Sequence, residues 1–388
     1  MSKHICIVTS AHPLDDVRVN SKVAQSFLAQ GYRVSWAGPE ITHHATSQDR
    51  DPNISYHLAR QPQGRIDRLT SIRRVARKAR EVADVDWYYS PDPDAAELAV
   101  RLAKKSRARA LFDIHEIYHG ALLDRWVANR RAPLVRAAVR KRISRTAARA
   151  DLVMGVSDSV LRPYVRPSHP QVVVRNCAPP WFAERASASA TSAAATPDGN
   201  GTMLFMHGKA HSWNGTPVIL EALTHLGSAR ERGRVLMFSG RAADAAQYMS
   251  DLNRRIDALG VRDAVWLHET VPHEDVPSVT ASCQVGMVAY GRGLGADSLP
   301  NRLFEYMAGG LAILAPDYAT EIVRIVEQEK IGLTVDFENA AAVAEAMSWF
   351  ISNPDRTRDM GARAREAFLE RHNWDAEFRR LIAAMEAV

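Results

Sequence analysis

The sequence predicts an α/β protein made of two doubly wound, Rossmann-like domains. Three observations indicate this class. The length of 388 residues fits two domains of ordinary size. Short β-branched runs alternate with helical apolar patterns in both halves, which is typical of βαβ units with a parallel sheet. A run of small residues at 186–196, ASASATSAAAT, separates the two alternations and predicts a flexible surface segment, with a helix as the alternative for its alanines.

The first half opens with an apolar strand, a polar loop and an amphipathic helix. Val19, Val23 and Phe27 recur at helical spacing, and Gly31 ends that helix. Runs of β-branched and aromatic residues predict strands at 5–8, 32–37, 87–89, 110–114, 152–156 and 172–174.

The second half repeats the alternation. Strands are expected at 203–206, 235–238, 265–267, 285–288 and 312–314. Helices are expected at 218–226, 248–259, 301–308, 341–350 and through most of 354–388. The expected domains are an N-terminal domain at 1–182, a linker at 183–200, a second domain at 201–372 and a C-terminal helix at 373–388 that can return to the first domain. Two such domains facing each other would place a ligand cleft between the carboxyl ends of their sheets.

Composition and cysteine usage exclude several classes of protein. Hydrophobic residues make up 46% of the chain and charged residues 24%, which excludes bulk disorder. Cys6, Cys177 and Cys283 form no C-x-x-C pair, so a zinc ribbon and a disulfide framework are excluded and a reducing cytoplasm is expected. The apolar run near the N-terminus is too short for a signal sequence, and no stretch approaches the roughly 18 apolar residues of a membrane span.

The most informative motif is SLPNRLFEYMAGGLAILAPD at 298–317. Leu303, Tyr306 and Met307 lie three or four residues apart and form one face of a predicted helix. Glu305 lies near the start of this helix, where a carboxylate can accept two hydrogen bonds from a ribose diol. Asp297 precedes the helix, whose free N–H groups favour a phosphate. The alternative is a helix with an incidental surface Glu305 and a capping Asp297.

The form LPNRLFEYMAGG resembles the E-x(7)-E motif of retaining glycosyltransferases of the GT-B fold, family four, also called group 1. The resemblance implies that Asp297 takes the place of the first carboxylate and contacts hydroxyls of the donor sugar. It implies that Glu305 binds the nucleotide ribose and that Arg302 meets a phosphate, with a solvated helix cation as the alternative for Arg302. The same donor site is expected to include Ser298, Leu299 and Asn301.

The N-terminal run SAHPLDDVRVN resembles the opening of many bacterial members of this family. The resemblance implies that His12, Asp15, Asp16 and Arg18 lie on the acceptor side. Asp and Asn are also common helix caps, so we expect Asp15 or Asp16 to cap the following helix.

Two further segments resemble motifs of the family. The D-I-H-E sequence that ends a predicted strand implies that His115 faces the donor sugar, with a structural histidine as the alternative. The M-H-G-K sequence implies that Gly208 and Lys209 lie at the donor diphosphate, where a cation neutralises the charge of the leaving group. Arg241, after another strand, is expected near the base, with a surface loop residue as the alternative.

The resemblance implies an activity as well as a fold. It is transfer of a sugar, with retention, from a nucleotide-diphosphate sugar to a hydroxyl of a lipid-linked, saccharide or small-molecule acceptor, without a bound metal or other cofactor. This fits biosynthesis of a glycan, a glycolipid or a glycosylated metabolite. Asn214 stands near the position of the family's second cation, so two alternatives stay open. One is a sugar-nucleotide epimerase of the same fold, and the other is a degraded transferase that acts as a membrane- or partner-binding module.

Charge is distributed unevenly along the chain. Residues 1–180 carry 30 Lys and Arg against 17 Asp and Glu, a net of +13, whereas residues 181–388 carry 20 against 27, a net of −7. Two runs, 73–80 and 125–149, contain five and nine basic residues and no acidic one. They fit solvated helix faces, a soluble anionic acceptor, or peripheral contact with an anionic membrane at the inner face of the cell membrane. Binding of nucleic acid needs the same charge, but no recognised nucleic-acid fold or aromatic platform accompanies it.

Overall fold

The computed structural model describes residues 2–41, 50–118, 132–190, 201–209, 215–239, 245–292, 296 and 299–388. Contacts divide the chain into two compact units, Met1–Arg175 with Glu377–Val388, and Asn176–Ala376. Each unit contains one parallel sheet with helices packed against it, which confirms the predicted α/β class with two doubly wound, Rossmann-like domains. Within the described ranges, no helix has both the length and the apolar character needed to cross a bilayer.

The sheet of the first unit has the strand order β3-β2-β1-β4-β5-β6-β7, and its pairings are parallel. The strands are β1 His4–Val8, β2 Arg33–Pro39, β3 Ile54–Ala59, β4 Trp87–Ser90, β5 Arg109–Ile114, β6 Leu152–Gly155 and β7 Gln171–Val173. The sequence does not predict β3, because this edge strand pairs only with β2 and buries only its two end residues. The other six strands follow the predicted runs.

Five helices of the first unit connect these strands within the described residues. They are α1 Gln25–Ala29, α2 Gly64–Ala79, α3 Pro93–Ser106, α4 Ala132–Ala147 and α5 Asp158–Leu161. A π-helical segment, Val17–Ala24, leads into α1. Gly31 follows α1 with a φ of 78°, a left-handed conformation that ends the helix as predicted.

Helix α4 carries the second basic run. Ile143 is buried and Val139 packs against the same core, whereas Leu134 is 76% exposed. Residues 132–147 of this run are therefore helical with one face packed on the core, and residues 125–131 lie outside the described part of the chain. Residues 73–79 of the first basic run belong to α2.

The sheet of the second unit has the strand order β10-β9-β8-β11-β12-β13, again with parallel pairings. The strands are β8 Thr202–Lys209, β9 Gly233–Ser239, β10 Val265–Glu269, β11 Val285–Met287, β12 Ala312–Pro316 and β13 Gly332–Val335. The helices are α6 Pro180–Ala190, α7 Thr216–Thr224, α8 Ala245–Ala258, α9 Val276–Thr280, α10 Asn301–Gly309, α11 Thr320–Glu329, α12 Ala340–Ser352 and α13 Pro354–Glu370. A last helix, α14 Trp374–Glu386, starts in this unit, and its residues from Glu377 onward belong to the first unit. Short 3-10 turns lie at Gly227–Arg232, Arg262–Ala264 and His273–Asp275.

The strand β13 and the helices α9 and α11 go beyond the sequence predictions. The strand β13 is a half-buried edge strand of four residues, too short to show a clear alternation. The helix α11 does carry a helical signal, because Ile322, Ile325 and Val326 have amphipathic spacing and are buried.

The small-residue segment corrects one expectation. We expect flexibility at 186–196, but residues up to Ala190 form the end of α6. Ala186 and the preceding Phe182 and Ala183 are buried, so apolar packing on one helix face holds this half of the segment. The rest of the segment lies outside the described residues.

Each sheet has one topological switch point, at which the direction of the strand order reverses. The switch point lies between β1 and β4 in the first unit and between β8 and β11 in the second. Open α/β sheets bind ligands at the carboxyl ends of the strands beside such a reversal. In the second unit, Gly286 of β11 lets α10 approach closely, since a Cβ there would lie 2.2 Å from Cγ of Tyr306.

Candidate active site

In the first unit, the buried carboxylate of Asp92 connects the loop after β4 to the loop after β1 by hydrogen bonds, at the carboxyl edge of the sheet. Asp92 follows β4 and faces the loop after β1, at the reversal of strand order. Its Oδ2 accepts hydrogen bonds from Thr9 Oγ1 at 2.6 Å and from the Ser10 N–H at 2.7 Å. Its Oδ1 lies 3.0 Å from Nδ1 of His12. His12, predicted on the acceptor side, is thereby held at this edge.

Asp92 and His12 stabilise each other's charged forms. Burial opposes ionisation of Asp92, but the hydrogen bond and charge of His12 outweigh it and lower the pKa of Asp92 to about 2. Burial also opposes protonation of His12, but the Asp92 carboxylate outweighs it and raises the pKa of His12 above its usual value. The pair therefore favours a carboxylate beside an imidazolium.

His115 lies beside this pair, just after β5. Its ring centroid is 5.2 Å from that of His12 and 5.9 Å from that of Tyr118, both in edge-to-face geometry. Burial lowers the pKa of His115, and the charges of Arg18 and His12 lower it further against the pull of Asp113. Nδ1 of His115 is buried and has no hydrogen-bond partner among the described residues. Of these two adjacent imidazoles, His12 thus favours the protonated form and His115 the neutral form.

The structure gives Arg18 a role inside the first unit. Its Nε and Nη2 donate to the two oxygens of Asp113 at 2.9 Å and 3.0 Å, and Tyr89 Oη donates to the same carboxylate at 2.8 Å. Arg18 is 6% exposed, while Asp113 and Tyr89 are fully buried. The Arg18 guanidinium therefore neutralises a buried carboxylate, and its predicted place on the acceptor side stays a prediction.

Asp16 caps the helical segment that follows the loop. Its Oδ1 accepts a hydrogen bond from the Val19 N–H at 2.7 Å, which confirms the predicted cap. Asp15 is half-buried in the same loop.

In the second unit, Glu305 lies on α10 and is 4% exposed. Its Oε1 is 2.9 Å from Nε2 of His273, which follows β10. The His273 ring contacts Trp181 edge-to-face at 6.0 Å, and the Arg185 guanidinium lies 4.9 Å from the Trp181 ring. Glu305 is thus a buried, oriented carboxylate and not an incidental surface residue.

Arg302 lies one turn before Glu305 and contacts Tyr290, which follows β11. Its Nη2 donates to Tyr290 Oη at 2.8 Å, and its guanidinium lies 4.8 Å from the Tyr290 ring centroid. Nη1 of Arg302 is buried and has no partner among the described residues. The alternative of a solvated helix cation is therefore wrong, and Arg302 keeps one buried donor for an acceptor oxygen.

The carboxyl end of β8 has an irregular register. Met206 pairs with Met237 and Lys209 with Phe238, so the strand bulges at His207 and Gly208. Past this end, Gly215 has a φ of 77° and a Cβ there would lie 2.7 Å from Cβ of Ala289. Gly215 therefore lets the start of α7 approach the end of β11, beside the reversal of strand order.

Several predicted site residues have no described position. Asp297, Ser298, Arg241 and Asn214 lie outside the described residues, as does the side chain of Lys209. Of the neighbours of Glu305, Leu299 is buried and Asn301 is the first residue of α10.

Asp92, His273 and Tyr290 were not singled out from the sequence. Each follows a strand at its carboxyl end, and that position in a predicted parallel sheet is the signal that could have identified them. In the described ranges, no cluster of three His, Cys, Asp or Glu side chains could hold a metal ion.

Comparison with known proteins gives a family-model match for one segment of the second unit and a fold for the whole chain. Residues 190–367 match the model of the family described as glycosyl transferases group 1. HepE of Anabaena, solved in complex with UDP, is 14% identical, with 100% of each chain covered and a TM-score of 0.75. Sucrose-phosphate synthase of Thermosynechococcus elongatus is 16% identical over 99% of this chain and 100% of its own, with a TM-score of 0.72.

A glycosyltransferase of Rickettsia africae is 16% identical over 99% of this chain and 98% of its own, with a TM-score of 0.73. No curated protein matches the sequence at a significant level. At these identities the solved structures show the fold. The chain therefore has the GT-B fold, and the segment at residues 190–367 is similar to the glycosyl transferases group 1 family.

Proposed function

We propose that this protein is a retaining glycosyltransferase that moves a sugar from a nucleotide-diphosphate sugar to an acceptor hydroxyl. The observation that carries the proposal is the buried Glu305 carboxylate, which His273 orients at 2.9 Å within the segment that matches the family model. A carboxylate held in this way can accept hydrogen bonds from both hydroxyls of a ribose. HepE has been solved with UDP and with UDP-glucose, which supports a uridine nucleotide as the first donor to test.

The donor diphosphate needs positive charge and hydrogen-bond donors. Arg302 offers a buried Nη1 without a partner among the described residues, and Lys209 and Gly208 end the neighbouring strand β8. We assign these groups to the diphosphate, where they stabilise the charge that develops on the leaving group. Asp297, Ser298, Leu299 and Asn301 are assigned to the donor sugar and its surroundings, and Arg241 to the base.

In the proposed reaction, the bond between the sugar's anomeric carbon and the diphosphate oxygen breaks. The bond from that carbon to the acceptor oxygen forms on the same face, so the anomeric configuration is retained. The acceptor proton passes to a phosphate oxygen of the leaving nucleoside diphosphate. His115 is assigned to the hydroxyls of the donor sugar, and His12, Asp15 and Asp16 to the acceptor side. This scheme uses no metal ion and no bound cofactor.

A groove lined by basic residues of the first unit is a candidate binding site for an anionic partner. Arg73 and Arg80 of the first basic run and Arg142 of the second meet Lys104 and Lys105 in one groove of about 570 Å³ between α2, α3 and α4. Glu97 pairs with Arg142 at 2.9 Å, but the rim carries more cations than anions. We propose that this groove binds the anionic surface of a membrane from the cytoplasmic side, where an acceptor in glycan or glycolipid biosynthesis would be found.

A donor screen tests the proposed function. Thermal unfolding is measured with a panel of nucleotide-diphosphate sugars, and the donor that raises the Tm is incubated with the protein with and without acceptor extracts. A glycosylated product that forms only with acceptor supports the transferase, and its anomeric configuration tests retention. An isomerised sugar formed without acceptor would instead support the epimerase. Vesicle binding without any donor-induced shift would support the degraded transferase.

A further inference from the structure

The turn after β4 holds the rings of His12 and Tyr118, which both contact His115. His12 is held through its Nδ1, 3.0 Å from Oδ1 of Asp92. Tyr118 is held through its hydroxyl, which donates to the carbonyl oxygen of Pro91 at 3.0 Å. Pro91 and Asp92 are consecutive residues of the turn after β4, and β4 pairs with β5, the strand that ends directly before His115.

This turn is itself fixed in place. Oδ2 of Asp92 accepts hydrogen bonds from Thr9 Oγ1, from the Ser10 N–H and, at 3.2 Å, from the Ala11 N–H. The Thr9 hydroxyl also accepts from the His12 N–H at 3.0 Å, so the backbone and the ring of His12 depend on the same cluster. A rotation of the Asp92 side chain would break several of these bonds at once.

The His115 ring is oriented by contact and not by hydrogen bonds of its own Nδ1. That atom is buried, and no described residue bonds to it. A buried polar atom without a partner is unfavourable, and a ligand hydroxyl at this position would remove the cost. The rings of His12 and Tyr118 are the described aromatic groups against which His115 packs.

We propose that the Pro91–Asp92 turn is a positioning element of the sugar-transfer reaction. Asp92 acts through His12, and Pro91 acts through Tyr118, to hold His115 in the orientation in which Nδ1 can meet a hydroxyl of the donor sugar. This inference rests on the proposed function, in which His115 binds that sugar. It adds Asp92, Pro91 and Tyr118 to the residues on which the reaction depends.

The charges around the two imidazoles predict how they respond when the turn is altered. His12 faces the carboxylates of Asp92, Asp16 and Asp113, and Asp92 has the largest favourable effect on its protonation. His115 faces Asp113, Glu116, Arg18 and His12. Loss of the Asp92 charge should lower the pKa of His12. A neutral His12 no longer repels a proton on His115, so the pKa of His115 should rise.

The test compares Asp92→Asn and Tyr118→Phe with Asp94→Asn in the full chain. Asp94 lies two residues beyond Asp92, and its carboxylate accepts a hydrogen bond from Ser10 Oγ at 2.6 Å. Asp94→Asn therefore makes the same chemical change at a carboxylate that bonds a hydroxyl and not an imidazole. Imidazole C–H signals in NMR titrations report the pKa and the environment of each histidine. Transfer kinetics with the donor found in the screen report kcat and KM separately.

For Asp92→Asn we expect a lower pKa for His12, a higher pKa for His115 and a kcat reduced about tenfold or more, with the donor KM little changed. Tyr118→Phe keeps the ring and loses one hydrogen bond, so it should shift the His115 signal and lower kcat while the pKa of His12 stays in place. Because Tyr118→Phe is a mild substitution, it still tests the positioning role if Asp92→Asn fails to fold. Asp94→Asn should match the wild type in all these measurements.

The positioning role of the Pro91–Asp92 turn and the sugar-binding role of His115 are contradicted by different results. An unchanged His115 titration and signal in both variants would overturn the positioning role. So would an unchanged kcat in both variants while His115→Ala is impaired. If His115→Ala transfers sugar as fast as the wild type, the role of His115 in the proposed function is wrong and the positioning role falls with it.

Discussion

His273 and Glu305 meet at 2.9 Å, although 32 residues separate them in sequence. The pair joins the turn after β10 to helix α10, and Glu305 is buried while His273 is partly exposed. This contact orients a carboxylate at the carboxyl end of a parallel sheet, where the proposed ribose would bind.

The first prediction concerns His273. His273→Ala removes the hydrogen bond that orients Glu305, and loss of one such bond costs about 1 to 2 kcal/mol, so donor affinity should fall roughly tenfold. Isothermal titration with the selected donor measures this. His268→Ala, on β10 with its ring against Phe238, is the control. Equal affinities for the two variants would contradict the role of His273.

The second prediction concerns the buried ion pair of Arg18 and Asp113. Arg18→Met leaves the Asp113 carboxylate buried without its cation, which should lower the free energy of unfolding by about 3 to 5 kcal/mol. Urea unfolding followed by circular dichroism measures the loss. Arg101→Met removes an exposed ion pair with Glu97 and should cost less than about 1 kcal/mol. A similar loss in both variants would show that Arg18 is not the structural residue described.

The third prediction concerns acid stability. The pKa of Asp92 is about 2 in the folded protein against an ordinary value of 3.8, because His12, Thr9 and Ser10 favour its ionised form despite burial. A lowered folded-state pKa contributes stability that is present above the ordinary value and is lost as the pH falls toward the folded-state value. The free energy of unfolding should therefore fall between about pH 4 and pH 2.

Urea unfolding at stepped pH checks this dependence. Asp92→Asn should be less stable at neutral pH and should lose less stability on acidification than the wild type. Asp355→Asn, which changes an exposed carboxylate of α13, should follow the wild-type curve. Equal losses of stability in Asp92→Asn and the wild type over this range would contradict the stabilising role of the Asp92 carboxylate.

The fourth prediction concerns the basic groove of the first unit. Lys104→Gln with Lys105→Gln removes two cations near the proposed membrane surface, worth about 1 kcal/mol each, so vesicle affinity should fall roughly 30-fold. Flotation with phosphatidylglycerol-containing vesicles at low and high salt measures it, because screening weakens such binding. Arg356→Gln with Arg358→Gln on α13 is the charge-matched control. Binding that is unaffected by the Lys pair, or absent from the wild type, would overturn the membrane contact.

The sequence predicts those parts of the fold that have a strong local signal. The runs around Ile7 and Ile313 are buried central strands, and the spacing of Leu303, Tyr306 and Met307 identifies α10. The edge strands β3 and β13 were missed because burial along each of them shows no clear alternation. The small residues before Ala190 were assigned to a flexible segment, since their burial depends on tertiary packing that composition does not show.

In the candidate site, too, residues within a local motif were predicted and residues brought in by tertiary packing were not. Glu305 and His115 were identified from motifs, and each lies at the carboxyl edge of its own sheet. Their partners were not predicted, because contacts such as those of Asp92 with His12 or of His273 with Glu305 join distant segments and have no local pattern. The pairing of Arg18 with the buried Asp113 was not predicted either, because it joins positions 95 residues apart.

The central claim is that Glu305 binds the donor nucleotide, and one titration tests it most directly. Isothermal titration of the selected nucleotide-diphosphate sugar is compared for the wild type, Glu305→Ala and Glu345→Ala, an exposed glutamate of α12. Removing charge-assisted hydrogen bonds to two ribose hydroxyls should weaken binding by about 100-fold or more in Glu305→Ala alone. A Glu305→Ala protein that is folded and binds the donor as tightly as the wild type would contradict the account.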